Sequence, residues 1–285
     1  ALPLLEADLG LARRVFQRLR VVFYAGAALP QATWERLQAL SRKVRGEEVW
    51  LTTSWGATET SPAITSAHWK LDRAGIIGLP MPGLELKFVV DPSQLGDKLE
   101  MRVRGVSVFP GYRDAPQLTA QAFDAEGYYC IGDSGYLAEE RRPEGGVVFN
   151  GRVAEDFKLS SGTWVSVGTL RVRVVSALAP HVQDVVVTGH DRAEVGVLVF
   201  PTPQAAALPP SELRAHVAAA LTRLKAEGGG SSQAPGRALL LAEPPSADAG
   251  EITDKGYINQ RAVLQGRSAR VQDLYAGGPD VILAN

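Results

Sequence analysis

Between Glu6 and Arg20 the apolar positions Leu9, Leu11, Val15, Phe16 and Leu19 recur at helical spacing, which predicts an amphipathic helix. Val21-Val22-Phe23-Tyr24 reads as a buried strand, stopped at Ala25-Gly26. Pro30 suits the first position of a helix, and Trp34, Leu37, Leu40 and Val44 make one face of the helix that follows. Residues 48–52 read as the next strand. This β-α-β order predicts a parallel pair, with loops at the strand C-termini where α/β folds place ligands.

From residue 75 to 139 the period changes. Short β-rich runs at 85–90, 98–103 and 128–131 alternate with Gly, Pro and Asp turns, and predict a small antiparallel sheet or barrel. After Arg152 the pattern is mixed. Residues 171–175, 184–188 and 195–200 read as strands, the last two as a hairpin around Gly189-His190-Asp191-Arg192. Ser211 is placed to cap a helix whose apolar face is Leu213, Val217, Leu221 and Leu224. Residues 228–232 read as a flexible break, 237–241 as a strand, 250–256 as a polar loop and 257–264 as a helix. Residues after Arg267 read as a loose tail.

Composition narrows the function classes. With 45% hydrophobic and 21% charged residues, the 285-residue chain can bury a full core. Its length suggests about two domains. A formal net charge of -1 gives no electrostatic case for nucleic acid or an anionic membrane surface. One cysteine, Cys130, excludes an internal disulfide and any Cys-built metal site. The scattered His68, His181, His190 and His216 suggest no ligand set. No run approaches a membrane span, and the start of the chain carries no signal or transit pattern, so a cytoplasmic location is expected. Glycine and proline are abundant, 29 and 18, and spread among strand-like runs, which points to loops with specific work.

Four segments carry candidate chemistry. In Tyr24-Ala25-Gly26-Ala27-Ala28-Leu29-Pro30 a strand ends in small residues, which let a flat ligand lie against the backbone; by itself it is an ordinary β-to-α turn. Ser54-Trp55-Gly56-Ala57-Thr58-Glu59-Thr60 follows a strand and bunches an aromatic ring, a hydroxyl and a carboxylate. These could stack on a base, bind phosphate and hold Mg²⁺. Gly132-Asp133-Ser134-Gly135 sets a carboxylate between glycines at a strand end, where it could accept ribose hydroxyls; the same turn occurs in any hairpin. Gly151-Arg152 and the stretch from Asp156 to Val165 lie where the sheet-rich part gives way to the mixed part, and in isolation read as a charged linker.

In this order the segments resemble the adenylate-forming superfamily of acyl- and aryl-CoA synthetases, peptide-synthetase adenylation domains and luciferases. Trp55-Gly56-Ala57-Thr58-Glu59 is similar to its aromatic-Gly-x-Thr-Glu motif, and Gly78-Leu79-Pro80-Met81-Pro82-Gly83 to its Gly-x-Pro-x-Pro-Gly turn. Gly105 with Gly111-Tyr112, the Gly132–Gly135 quartet and Gly151-Arg152 resemble further motifs. The resemblance spans Val21 to about Leu264, and the wording of the whole, residues 250–260 included, is most similar to bacterial feruloyl-CoA synthases.

The resemblance implies a two-step reaction: a carboxylate attacks the α-phosphate of Mg·ATP, and coenzyme A then displaces AMP from the acyl-adenylate. It implies that Trp55 stacks on adenine beside Gly26 and Ala27, with Gly56 in the same loop. Thr58 would bind the α-phosphate and Glu59 the Mg²⁺. Asp133 would hold the ribose, Arg152 would lie near ribose and phosphate, and Gly162, Thr163 and Trp164 would approach the pantetheine arm. Lys255 is the candidate catalytic lysine, as the only Lys of its loop; alignment on Gly250 would instead place Glu251 there, and the long-chain pattern Tyr257.

The implied fold is α/β plus α+β. Residues 1–150 would be the C-terminal part of the large AMP-binding domain, with a β-α-β segment and a small antiparallel barrel or sheet. Residues 151–267 would form a small mobile α+β domain, and 268–285 a tail. The family's Ser/Thr/Gly-rich loop ending in Lys has no counterpart, so the expected missing partner is the N-terminal half of the large domain. The family's Asp or Lys hinge position is Ala154, beside Glu155 and Asp156. The expected substrate is a small aromatic or acyl carboxylic acid. The competing expectation is a truncated nucleotide- or CoA-binding regulatory module without catalysis. A reductase or peptide-synthetase adenylation domain is a third.

Overall fold

The computed structural model describes residues 2–90, 98–228, 230–253 and 256–284. The chain divides into two compact units, Ala1–Val153 and Ala154–Asn285.

The first unit begins with two short helices, α1 (Leu2–Ala7) and α2 (Leu9–Phe16), in place of one helix from Glu6 to Arg20. Asp8 breaks the run because its carboxylate caps α2, accepting from the Leu11 amide at 2.9 Å. Strand β1 (Val21–Tyr24), helix α3 (Gln31–Arg45) and strand β2 (Trp50–Trp55) form the expected parallel unit, with Val21 beside Trp50 and Tyr24 beside Thr53. Pro30 sits just outside α3, in an extended conformation with φ -61° and ψ 140°.

The sheet continues through β3 (Thr65–Ser66), β4 (Ile76–Pro80), β5 (Leu84–Val90), β6 (Leu99–Gly105), β7 (Tyr129–Leu137) and β8 (Val147–Arg152), in the spatial order β1-β2-β3-β4-β8-β7-β6-β5. The antiparallel part is therefore continuous with the parallel pair, because β3 pairs with both β2 and β4. A short helix α4 (Pro116–Ala122), started by Pro116, lies where only strands and turns were expected. Strand β1 is a correction to the expected buried strand. It is the edge of the sheet, with Val21 39% and Phe23 60% exposed. A short apolar run has the same sequence signature whether it has strands on both sides or on one.

In the second unit a hairpin of β9 (Phe157–Lys158) and β10 (Trp164–Val165) leads into helix α5 (Val167–Leu178). Residues 171–175, expected as a strand, lie inside this helix. Val167, Leu170, Val174 and Leu178 form its buried stripe, so the helical period prevails over the β-branched composition. Strands β11 (Val182–Thr188) and β12 (Gly196–Pro201) make the expected hairpin, followed by α6 (Pro203–Ala206) and α7 (Pro210–Ala226). Ser211 is within the first turn of α7, and Pro209 occupies the cap position. Leu213, Val217, Leu221 and Leu224 are buried as expected.

β13 (Arg237–Leu240) joins β12 in parallel, and helices α8 (Gln260–Gly266) and α9 (Ser268–Ala276) precede a last strand, β14 (Val281–Leu283), antiparallel to β13. The expected tail after Arg267 is thus folded: Leu274 and Ile282 are buried. The sheet is buried on both faces. Val185, Val187, Val197 and Val199 pack with α5 and α7, while Val186, Leu198 and Phe200 pack with Val263 of α8 and Leu274 of α9. Among the described residues no helix is long and apolar enough to cross a membrane.

Candidate functional site

Three elements of the first unit converge. Trp55 is the last residue of β2, Asp133 lies within β7, and Arg152 ends β8 opposite Asp133. The Gly132–Gly135 motif, expected at a strand end, is in mid-strand. Register shifts flank Asp133 on both neighbouring strands, and Gly132 adopts φ +80°, so the strand bulges and re-aims the side chain that follows.

Asp133 is 5% exposed. Its Oδ2 accepts from the Trp55 indole nitrogen at 2.7 Å, and its Oδ1 lies 3.4 Å from Nε of the largely exposed Arg152 side chain. Ser134, fully buried, donates from Oγ to the Asn150 carbonyl at 2.8 Å, and Lys98 Nζ reaches the same oxygen at 2.7 Å. These contacts tie the end of β8, and with it the backbone of Gly151-Arg152, to β7 and to the residue that precedes β6. Trp55 is only 8% exposed, and its ring belongs to a core cluster with Ile64, Ile77, Met101 and Tyr129.

The loop after Trp55 is tightly made. Gly56 is obligatory: at φ +159° a Cβ would lie 2.1 Å from the Pro62 carbonyl oxygen. Thr58–Thr60 form a single 3-10 turn in which Thr60, buried, accepts from the Ala57 amide at 2.8 Å and lies 3.0 Å from the Pro62 carbonyl. The turn leaves Thr58 exposed and Glu59 half-buried. Tyr112 donates its hydroxyl to Glu59 Oε1 at 3.0 Å, and the Phe109 amide donates to the Glu59 carbonyl at 2.8 Å. Burial, with the Tyr112 hydroxyl and the Glu59 carboxylate beside it, pushes the Tyr129 phenol above its ordinary range. Tyr112 and Ser134 are site residues without an assigned role in the sequence reading, although both stand inside motifs quoted there.

Gly26, with φ +82°, and Ala27 are exposed just after β1. The parallel register puts this loop and the Trp55–Glu59 loop at the same sheet edge. Tyr24, at the end of β1, packs edge-on against Trp34, and burial pushes its phenol up to about 12. Among the described residues no three His, Cys, Asp or Glu side chains gather to hold a metal. Glu59 is instead a single carboxylate, which suits Mg²⁺ held mainly by phosphate and water.

The second unit carries the other candidates. Gly162, with φ +83°, closes the β9–β10 turn by donating its amide to the Leu159 carbonyl at 2.9 Å. Trp164 is half-buried, with Lys158 Nζ 4.9 Å from its ring centre. Asp156 accepts from the Val167 amide at 2.9 Å and so caps α5. Glu251 is buried in an ion pair with Arg267 at 2.7 Å, a structural role. Lys255 and its neighbour Asp254 lie outside the described residues.

Comparison with known proteins bears on the same segments. The family model described as AMP-binding enzyme matches residues 4–113, and the model described as AMP-binding enzyme C-terminal domain matches residues 158–278. The long-chain-fatty-acid–[acyl-carrier-protein] ligase AEE15 of Arabidopsis thaliana is 27% identical over 239 residues, covering 79% of this chain and 32% of that protein. The phenylacetyl-CoA ligase epaB of Aspergillus niger is 31% identical over 134 residues, 44% of this chain and 24% of that protein. This chain therefore spans a third or less of the length of these relatives. In fold, it is similar to the adenylation domain of the Mycobacterium chelonae carboxylate reductase, with a TM-score of 0.73 and 22% identity, covering 94% of this chain and 42% of that one. The adenylation domain of the Segniliparus rugosus carboxylic acid reductase, solved with AMP and a co-purified carboxylic acid, gives a TM-score of 0.71 at 20% identity, covering 90% and 39%. The two family models together take in most of the chain, one in each unit, and the chain belongs to the AMP-binding enzyme superfamily.

Proposed function

We propose that the chain is the nucleotide-holding and C-terminal part of an ATP-dependent acid–thiol ligase that activates an aromatic or acyl carboxylic acid, similar to feruloyl-CoA synthase. In this reading a carboxylate oxygen of the acid attacks the α-phosphorus of ATP as the bond to pyrophosphate breaks. The thiol of coenzyme A then attacks the acyl carbon of the adenylate and AMP leaves. The observation that carries the reading is the convergence of Trp55, Asp133 and Arg152 beside the Gly56–Glu59 loop. Asp133 would accept the ribose hydroxyls, Arg152 would face ribose and phosphate, and Thr58 would donate to the α-phosphate. Glu59, steadied by Tyr112, would contribute one oxygen to Mg²⁺, whose charge offsets that of the phosphates when bound. In the second unit, Gly162 and Trp164 would contact the pantetheine arm, and Lys255 would reach the carboxylate and α-phosphate. The phenylacetyl-CoA ligase relative supports an aromatic acid and coenzyme A, while the acyl-carrier-protein ligase relative makes a carrier thiol the outcome to test against.

Calorimetry with AMP tests the site. The chain is expected to bind AMP, and Asp133→Ala to weaken binding at least tenfold; no binding by either overturns the reading. No Lys-ended Ser/Thr/Gly loop stands in the 285 residues, so this chain alone is expected to hold nucleotide without completing adenylation. Robust ATP–pyrophosphate exchange by it with an aromatic acid would show otherwise.

A further inference from the structure

We propose that Trp55 is a positioning residue, whose indole N–H holds the Asp133 carboxylate in the orientation that accepts a ribose diol. The inference rests on reading the site as a nucleotide site.

The two residues are 78 apart in sequence and meet only because β2 and β7 belong to one sheet. Both are buried, at 8% and 5% exposure, and the nitrogen–oxygen distance of 2.7 Å is short for an N–H donor, as expected when the acceptor is charged. A buried carboxylate can receive two hydroxyls side by side only if its plane is held. Arg152 is a poor clamp for that purpose, since it lies 3.4 Å away and its side chain is 57% exposed. The indole is rigid and walled by Ile64, Ile77 and Met101, so its N–H direction is set by packing. Tryptophan is also the aromatic residue suited to this bond. Phenylalanine fills the space without a donor, and the tyrosine hydroxyl projects from the far end of its ring, while the indole N–H projects from the side.

Trp55→Phe keeps an apolar ring and deletes the donor. Its expected effect is about tenfold weaker AMP binding, the size of one hydrogen bond to a charged group. Binding of 2′,3′-dideoxy-AMP, which offers Asp133 no hydroxyl, is expected to be unchanged. In an Asp133→Asn background Trp55→Phe is expected to add little. Unchanged AMP affinity in Trp55→Phe overturns the inference. Equal weakening for both nucleotides also overturns it, since the ring would then be touching the base. The bond is read separately without nucleotide by nitrogen-15 labelling of tryptophan, the Trp55 indole signal being assigned in the wild-type chain from its proton contacts with Ile64, Ile77 and Met101. Slow exchange of that N–H in the wild-type chain, accelerated by Asp133→Ala, supports the bond; exchange indifferent to Asp133→Ala overturns it. This readout stands even if the Phe variant folds poorly. A protected, Asp133-dependent N–H in a chain that binds no AMP supports the orienting bond while overturning the nucleotide reading.

Discussion

Arg267 grips both carboxylate oxygens of Glu251, Nε to Oε1 at 2.7 Å and Nη2 to Oε2 at 2.7 Å. The pair ties Glu251 to the junction between α8 and α9, where Arg267 stands. Glu251 also accepts from the Ser246 amide at 2.8 Å, and Arg267 donates to the Glu243 and Pro244 carbonyls and covers the Phe200 ring. The carboxylate and guanidinium are buried together, at 5% and 13% side-chain exposure. Arg267→Ala would strand the carboxylate, at a cost of about 3 kcal/mol or more. Urea unfolding that shifts by less than about 1 kcal/mol would show the pair to be dispensable.

The same pair sets a pH dependence. The hydrogen bond from Arg267 holds the Glu251 carboxyl below the usual carboxylate range. A carboxyl lower in the folded than in the unfolded state stabilises fully above its ordinary value, and the contribution fades as pH falls through its folded value. Unfolding midpoints followed downward from neutral pH should therefore fall less steeply in Glu251→Gln than in the wild-type chain. Parallel curves for the two proteins would count against this.

Gly56→Ala is expected to destabilise the first unit by about 3 kcal/mol, through overpacking and backbone strain. The added methyl would meet the Pro62 carbonyl at 2.1 Å and Thr60 Oγ1 at 2.7 Å, and neither atom is at the end of a flexible chain. Gly26→Ala, at a position with open space around it, should cost only the backbone conformation. Similar melting shifts for both variants would contradict the argument.

Tyr112→Phe removes the hydroxyl that steadies Glu59 and leaves the ring edge-on against Phe109. Under the proposed function, Mg²⁺ should then strengthen ATP binding by a smaller factor, about threefold less than in the wild type, the size of an exposed hydrogen bond. Glu59→Gln should show the larger loss. An identical Mg²⁺ response in all three chains would remove Glu59 from the metal-binding role.

Strand β1 presents Phe23 and Val21 on an open sheet edge, near the exposed Leu4 and Val15 of the preceding helices in sequence. Such an edge is a template for pairing with another strand. The chain should self-associate in sedimentation as concentration rises, and Phe23→Lys should reduce that tendency without lowering the melting temperature. A wild-type chain monomeric at high concentration would refute this.

Local periodicity and motif order carried much of the architecture. The parallel β1–α3–β2 unit, the β11–β12 hairpin and the apolar face of α7 follow from spacing that each segment must satisfy whatever surrounds it. Spacing failed where two structures share one pattern. Residues 171–175 carry three valines yet lie on a helix, because Leu170, Val174 and Leu178 must face one core. The stretch after Arg267 looked loose because its buried residues, Leu274 and Ile282, are widely spaced and find their partners on strands far back in the chain.

The sequence by itself determined the family, the order of the motifs and the residue types at the site: a carboxylate between glycines, an aromatic beside Gly56, an arginine at Arg152. Those features are local, and chain order preserves them. Tertiary structure alone decided how they act on one another. It made Trp55 a buried donor to Asp133, gave Glu59 its support from Tyr112, and assigned Glu251 to Arg267. The reason is physical: hydrogen bonds between residues 16 to 78 positions apart depend on which strands and helices adjoin, and burial then decides whether such a bond or water satisfies the group.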